Sequence, residues 1–203
     1  MKTKVLVLSV LFLSVLQLQA QKNETCTNHE APLETFSLEF NGGGSIATNT
    51  LSGSRLNPGF GFEASFLWNF MPHTGVYAGW GWNRFGSEQS FIGNGACFEE
   101  TGYVLGLQFK HPIKSENILW FLRAGMLYNH IEVENAEGVI VADTGHGSGF
   151  QIAGGVDFHV GNGWSIAPGI KFNSLNRVLD YEQDNQQLKY RYVSLRVGFV
   201  KSF

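Results

Sequence analysis

The chain has 203 residues, 25 of them glycine, with 43% hydrophobic, 14% aromatic and only 15% charged residues. With Lys+Arg 14 against Asp+Glu 17 and a mean hydropathy near zero, it is not a bundle of membrane helices, a charge-rich disordered chain or a basic domain built for nucleic acid. Two cysteines are too few for a disulfide scaffold or a four-cysteine zinc site.

Residues 1–20 read as a secretory signal peptide. Lys2 and Lys4 form the positive start, Val5 to Leu16 is an apolar core broken by Ser9 and Ser14, and Ala20 suits cleavage before Gln21. Cys26 follows Asn23-Glu24-Thr25 rather than a small residue, which argues against lipidation. Residues 21–33 are expected to be a periplasmic N-terminal segment.

From residue 34 onward the apolar residues recur with a period of two, the signature of strands. Phe36, Leu38 and Phe40 alternate with Ser37 and Glu39. Over residues 60–70, Phe60, Phe62, Ala64, Phe66, Trp68 and Phe70 share one face, and Gly61, Glu63, Ser65, Leu67 and Asn69 the other. Val76, Ala78, Trp80 and Trp82 follow, then Tyr103, Leu105, Leu107 and Phe109, then Ile118 to Tyr128 in steps of two. The last three sets are Phe150 to Val160, Trp164 to Phe172 with Pro168 among them, and Val193 to Phe199. Eight strands result. Pro168 lacks a ladder donor, so a bulge or broken pairing is expected there.

One face of these strands carries no charge. The other carries Glu39, Glu63, Lys110, Arg123, Asp157, Lys171 and Arg196 together with many glycines. A soluble barrel would hide its aromatics and display its charges. Here the glycines suit a narrow interior where charges pair, and the Phe/Trp/Leu face requires an apolar surrounding. That is the pattern of a transmembrane barrel, which must close so that no strand edge is left unpaired in hydrocarbon. Connections near 71–75, 111–117 and 161–163 are short turns, whereas those near 43–58, 84–101, 129–149 and 174–190 are long. Phe70, Phe109, Trp120, Phe158 and Trp164 are expected to gird the short-turn end; Phe60, Trp82, Tyr128, Phe150, Phe172 and Tyr190 the long-loop end.

With these features the chain resembles, over residues 34–203, the small eight-stranded outer-membrane barrels of Gram-negative bacteria, the OmpA/OmpX type. The end of the chain carries the most specific likeness: Leu195, Val197, Phe199 and Phe203 are similar to that family's signal for the barrel assembly machinery. Lys201 departs from the apolar residue usual there, and a lysine at the membrane rim can snorkel to the headgroups. The resemblance implies an all-β, antiparallel, up-and-down transmembrane barrel with short periplasmic turns and long extracellular loops, in contact with outer-membrane lipid and lipopolysaccharide.

An eight-stranded barrel has an interior that side chains just fill. The seven lumen charges are therefore expected to pair and plug it, leaving a non-enzymatic structural or surface-interaction protein whose loops meet an extracellular ligand or envelope protein. A small pore, or a component of a secretion machine, is an alternative. Another is an outer-leaflet lipid-modifying enzyme, because barrel deacylases of lipid A use a His-x-Ser pair and His146-Gly147-Ser148 has that spacing. Against it, the nearest downstream acid, Asp157, is expected to face the lumen. Cys26 and Cys97 could form a disulfide in the oxidising envelope if residues 26–33 bring the two ends together. The six histidines show no metal-ligand spacing, so no metal or cofactor is assigned.

Overall fold

The computed structural model describes residues 35–113, 115–181 and 184–203. The signal peptide, the N-terminal segment and Cys26 lie outside them. Nine strands are present among the described residues: β1 (Phe36–Ala47), β2 (Gly59–Met71), β3 (Thr74–Ser90), β4 (Gly93–Ile113), β5 (Ser115–Glu134), β6 (Ile140–Asp143), β7 (Gly147–Gly161), β8 (Trp164–Tyr181) and β9 (Asp184–Ser202). Eight of them run in the order β4-β3-β2-β1-β9-β8-β7-β5, and β4 pairs with β5 to close the ring. Every neighbour is antiparallel. The short β6 pairs with β5 at Glu132–Glu134, beyond the point where β7 leaves that edge.

Alternation sorts the side chains as the sequence pattern requires. Leu105, Met126 and Leu195 are 64%, 69% and 68% exposed on the outer face, while Tyr77, Val104 and Leu127 point inward and are buried. An apolar surface that circles the whole barrel is far larger than the patches a soluble monomer leaves in water. On β4 this band runs from Tyr103 to Phe109, on β8 from Trp164 to Phe172, and on β9 from Val193 to Phe199, with Phe203 just past the strand's end.

Beyond the band the strands do not end. The expected long loops 84–101 and 174–190 are largely wall: β3 reaches Ser90, β4 starts at Gly93, and β8 and β9 extend to Tyr181 and from Asp184. Here the polarity of the alternation inverts. Arg84, Glu99 and Glu132 face out, and Phe85, Phe98, Ile131, Val133, Leu175 and Leu188 face in and are fully buried. Once the wall rises past an apolar surrounding, the hydrophobic effect draws large side chains to the inside. Tyr190 belongs to this inner cluster at 2% exposure, so it is not a girdle residue. Its position is three residues from outward-facing Val193, which sets the opposite phase. Leu51, in the β1–β2 connection, is also buried in the cluster, through a bridge to Ser54.

The surplus of glycine has a local cause on the inner wall. A Cβ on Gly125 would lie 2.5 Å from the Tyr77 hydroxyl, and one on Gly106 2.7 Å from the Tyr77 ring. Gly155 and Gly169 leave the same kind of floor for Phe121. Large rings thus approach bare backbone closely, which a narrow barrel needs. At Pro168 the β7–β8 ladder is interrupted between the pairs Gly155↔Gly169 and Phe158↔Ile166 with no change of register, while pairing to β9 continues through Pro168↔Val197. The strand tolerates the missing donor by losing local pairing on one side only.

Candidate functional site: the lumen and the rim

Arg123 stands at the centre of the lumen. It projects from β5 between the rings of Tyr77 and Phe121, 5.5 and 4.8 Å from their centroids, in cation–π contact. One guanidinium nitrogen lies 2.5 Å from Glu39 Oε2 and Nε donates to Gln108 at 2.7 Å. Lys171 on β8 reaches across to Glu63 on β2 at 2.8 Å. Glu63 also accepts from Gln151 at 3.0 Å, and Tyr77 donates to the same Gln151 at 3.0 Å. Toward the short-turn end Lys110 meets Asp157 at 2.6 Å. Six of the seven lumen charges therefore sit in three ion pairs, each joining two different strands.

Arg196 is placed differently. It donates to the amide oxygen of Asn83 at 2.5 Å and has no carboxylate partner among the described residues. Asn83 and Asn173 both donate to the Tyr192 hydroxyl, at 2.8 and 2.7 Å. Removing that hydroxyl leaves two buried amide donors without an acceptor. Tyr192→Phe is expected to cost about 1–3 kcal/mol of stability, read from urea unfolding of the folded barrel.

A cavity of about 30 Å³ lies between Glu39, Glu63, Arg123, Lys171 and Arg196, and a second of about 10 Å³ beside Glu100 and Asn129. The first has room for about one or two water molecules.

Two buried charges lie in stretches the sequence pattern marks as loop. Glu100 accepts from Asn129 at the junction of the polar network and the apolar cluster. Arg177 donates to the carbonyls of Asn129 and Ser148 at 2.8 and 2.7 Å, tying β8 to β5 and β7. Burial pulls the Arg177 guanidinium below its usual value, and burial likewise holds the Tyr190 phenol well above its own. Reading inward charge at alternate positions beyond residue 84 would have found both.

On the outer wall past the lipid band, Arg84 bridges Glu99 at 2.7 Å and Glu134 at 3.0 Å. His146 stacks on His130, ring centroids 4.5 Å apart, and lies 5.1 Å from the Tyr128 ring. Its partner in the sequence motif, Ser148, makes no hydrogen bond to it among the described residues. Asp157 is engaged in the lumen with Lys110. His130, Glu132 and Asp143 converge on this same wall. Cys97, half-buried, stands opposite Gly86 and Glu134. At the other end, Leu195, Val197 and Phe199 face outward and Phe203 is 67% exposed, its amide donating to Phe36 at 2.9 Å. Lys201 lies within 5.6 Å of the Trp164 and Phe203 rings and donates to Asn162.

A closed antiparallel ring with an apolar outer belt, a polar inner network and short turns at one end defines a small membrane barrel. The outer membrane protein beta-barrel domain matches residues 7–203, so the chain belongs to that family. Among solved structures it is similar to Neisserial surface protein A, at 14% identity and TM-score 0.62, covering 83% of this chain and 97% of that one. OprG from Pseudomonas aeruginosa is similar at 10% identity and TM-score 0.54, covering 82% and 96%. Outer membrane protein W from E. coli is similar at 16% identity and TM-score 0.51, covering 87% and 100%. At such identities the likeness is one of fold. No curated protein sequence matches. Family membership assigns the chain to the outer membrane of Gram-negative bacteria.

Proposed function

We propose that this protein is a closed, non-enzymatic barrel of the outer membrane that raises a rigid platform above the lipid for contacts with an extracellular ligand or another envelope protein. The observation that carries the reading is the set of buried ion pairs that face the lumen, which supports a plugged interior. Three ion pairs join different strands across it, and a buried apolar cluster around Phe85, Phe98 and Ile131 lies toward the long-loop end. The extended strands favour an interaction role, because they hold the connecting segments on a stiff wall rather than on long tethers. The platform in this reading faces lipopolysaccharide and the cell exterior, and the exposed terminal aromatic with its alternating apolar partners serves the assembly machinery.

Single-channel recording in planar bilayers tests the closed lumen. Purified protein is expected to give a flat baseline across the applied voltage range. Long-lived conductance steps that scale with protein concentration would overturn the reading in favour of a pore.

A further inference from the structure

We propose that the outer wall above the lipid band holds a binding site for a divalent transition-metal ion of the zinc class, formed by His130 and Glu132 of β5 and Asp143 of β6. His130 and Glu132 are two apart on one strand and so share its outward face. Asp143 is brought in from beyond a turn by the Glu132↔Asp143 pairing. The result is a three-residue cluster whose ligand atoms all lie within 4.8 Å of one another. His130 Nδ1 is 3.2 Å from each Asp143 carboxylate oxygen and 3.9 Å from Glu132 Oε1. Ligands at zinc bond lengths of about 2.0–2.2 Å in a tetrahedron stand about 3.3 Å apart. The observed spacing needs only side-chain adjustment at Glu132 to reach that arrangement.

Three further features fit a site better than a merely solvated cluster. The carboxylates of Glu132 and Asp143 have no lysine or arginine partner among the described residues, while the neighbouring Arg84 is already taken by Glu99 and Glu134. The segment is held in place: Thr144 N donates to Ile131 O at 3.1 Å, Ile131 N returns a bond to Thr144 Oγ1 at 2.9 Å, and Gly145 N donates to Asp143 Oδ1 at 2.8 Å. Such outer contacts orient a carboxylate ligand before the ion arrives. Finally, the His146 ring stacks on His130 with centroids 4.5 Å apart, a contact that fixes the plane of the His130 imidazole. One imidazole with two carboxylates suits Zn²⁺ and similar divalent ions; Mg²⁺ and Ca²⁺ favour oxygen alone, and Cu⁺ favours sulfur.

The test uses tag-free full-length barrel in detergent micelles, titrated calorimetrically with zinc chloride. Saturable binding of one ion per chain is expected, surviving a large excess of Mg²⁺. His130→Gln and Asp143→Asn are each expected to weaken it by about tenfold or more, since losing even an outer-shell partner costs about that much. His73→Gln serves as the control, because His73 and His111 lie in tilted ring contact at the short-turn end, centroids 4.8 Å apart. It is expected to leave binding unchanged. Absence of saturable binding, binding that His130→Gln leaves intact, or binding lost in the His73 variant would each overturn the proposal. Electrophoretic heat-modifiability, run on every variant, shows that a lost signal comes from the site and not from an unfolded barrel.

Discussion

Replacing Lys171 by methionine is expected to lower the unfolding free energy of the barrel by about 3–5 kcal/mol, the cost of leaving a buried charge without its partner. Lys171 and Glu63 are each only about 6% exposed and meet at 2.8 Å across the lumen, from strands that are not neighbours in the ring. In the variant, Glu63 keeps only neutral hydrogen-bond partners, Gln151 at 3.0 Å and Ser65 at 3.3 Å. Two hydrogen bonds from neutral groups do not replace a charge-assisted one at a buried position. Adding Glu63→Gln to the same chain removes the orphaned charge, and the double variant is expected to recover most of the loss. The difference between the summed single effects and the double effect measures the coupling. Urea unfolding of vesicle-embedded protein, followed by tryptophan fluorescence, supplies all three numbers. A Lys171→Met variant as stable as the parent would show that the pair does not hold the wall together.

The same geometry explains what the sequence made legible. Strands β1, β2, β7 and the lower halves of β3, β4, β5, β8 and β9 follow one rule, apolar outward and polar inward, and the alternation of Phe60 to Phe70 or Tyr103 to Phe109 displays that rule directly. The lumen residues were legible for the same reason, as charges of fixed phase on otherwise apolar strands. The upper wall was not, because the rule reverses there. Phe85, Phe98 and Leu188 read as stray apolar residues in a polar stretch unless the strand is continued past the lipid band in phase. Tyr190 was placed on the wrong side by proximity to the girdle, where its parity relative to Val193 would have set it inside. Glu100 and Arg177 were overlooked within the same stretches.

The His130–Glu132–Asp143 cluster was illegible for a different reason. His130-x-Glu132 is a common strand pattern, and Asp143 joins it only through the pairing of the four-residue β6 against β5. No spacing in the chain reports a contact made by a strand that short. The interruption at Pro168, by contrast, follows from the chemistry of proline alone, and the structure resolves it into one lost stretch of ladder on the β7 side.

The inversion of the upper wall depends on lipid being the solvent of the outer face. Leu105, in the middle of the band, is 64% exposed, with Leu107 and Tyr103 on either side of it along the strand. At an exposed position in water, leucine to arginine changes stability by about 0.5 kcal/mol or less. At the midplane of a bilayer the same change costs about 2–4 kcal/mol, falling to about 0–1 kcal/mol near the interface. The deciding measurement is the unfolding free energy, in phospholipid vesicles, of Leu105→Arg beside Thr101→Arg, which lies on the same face of β4 above the band. A loss of about 2–4 kcal/mol for Leu105→Arg with about 1 kcal/mol or less for Thr101→Arg is the expected result. Equal and negligible effects at both positions would contradict the account.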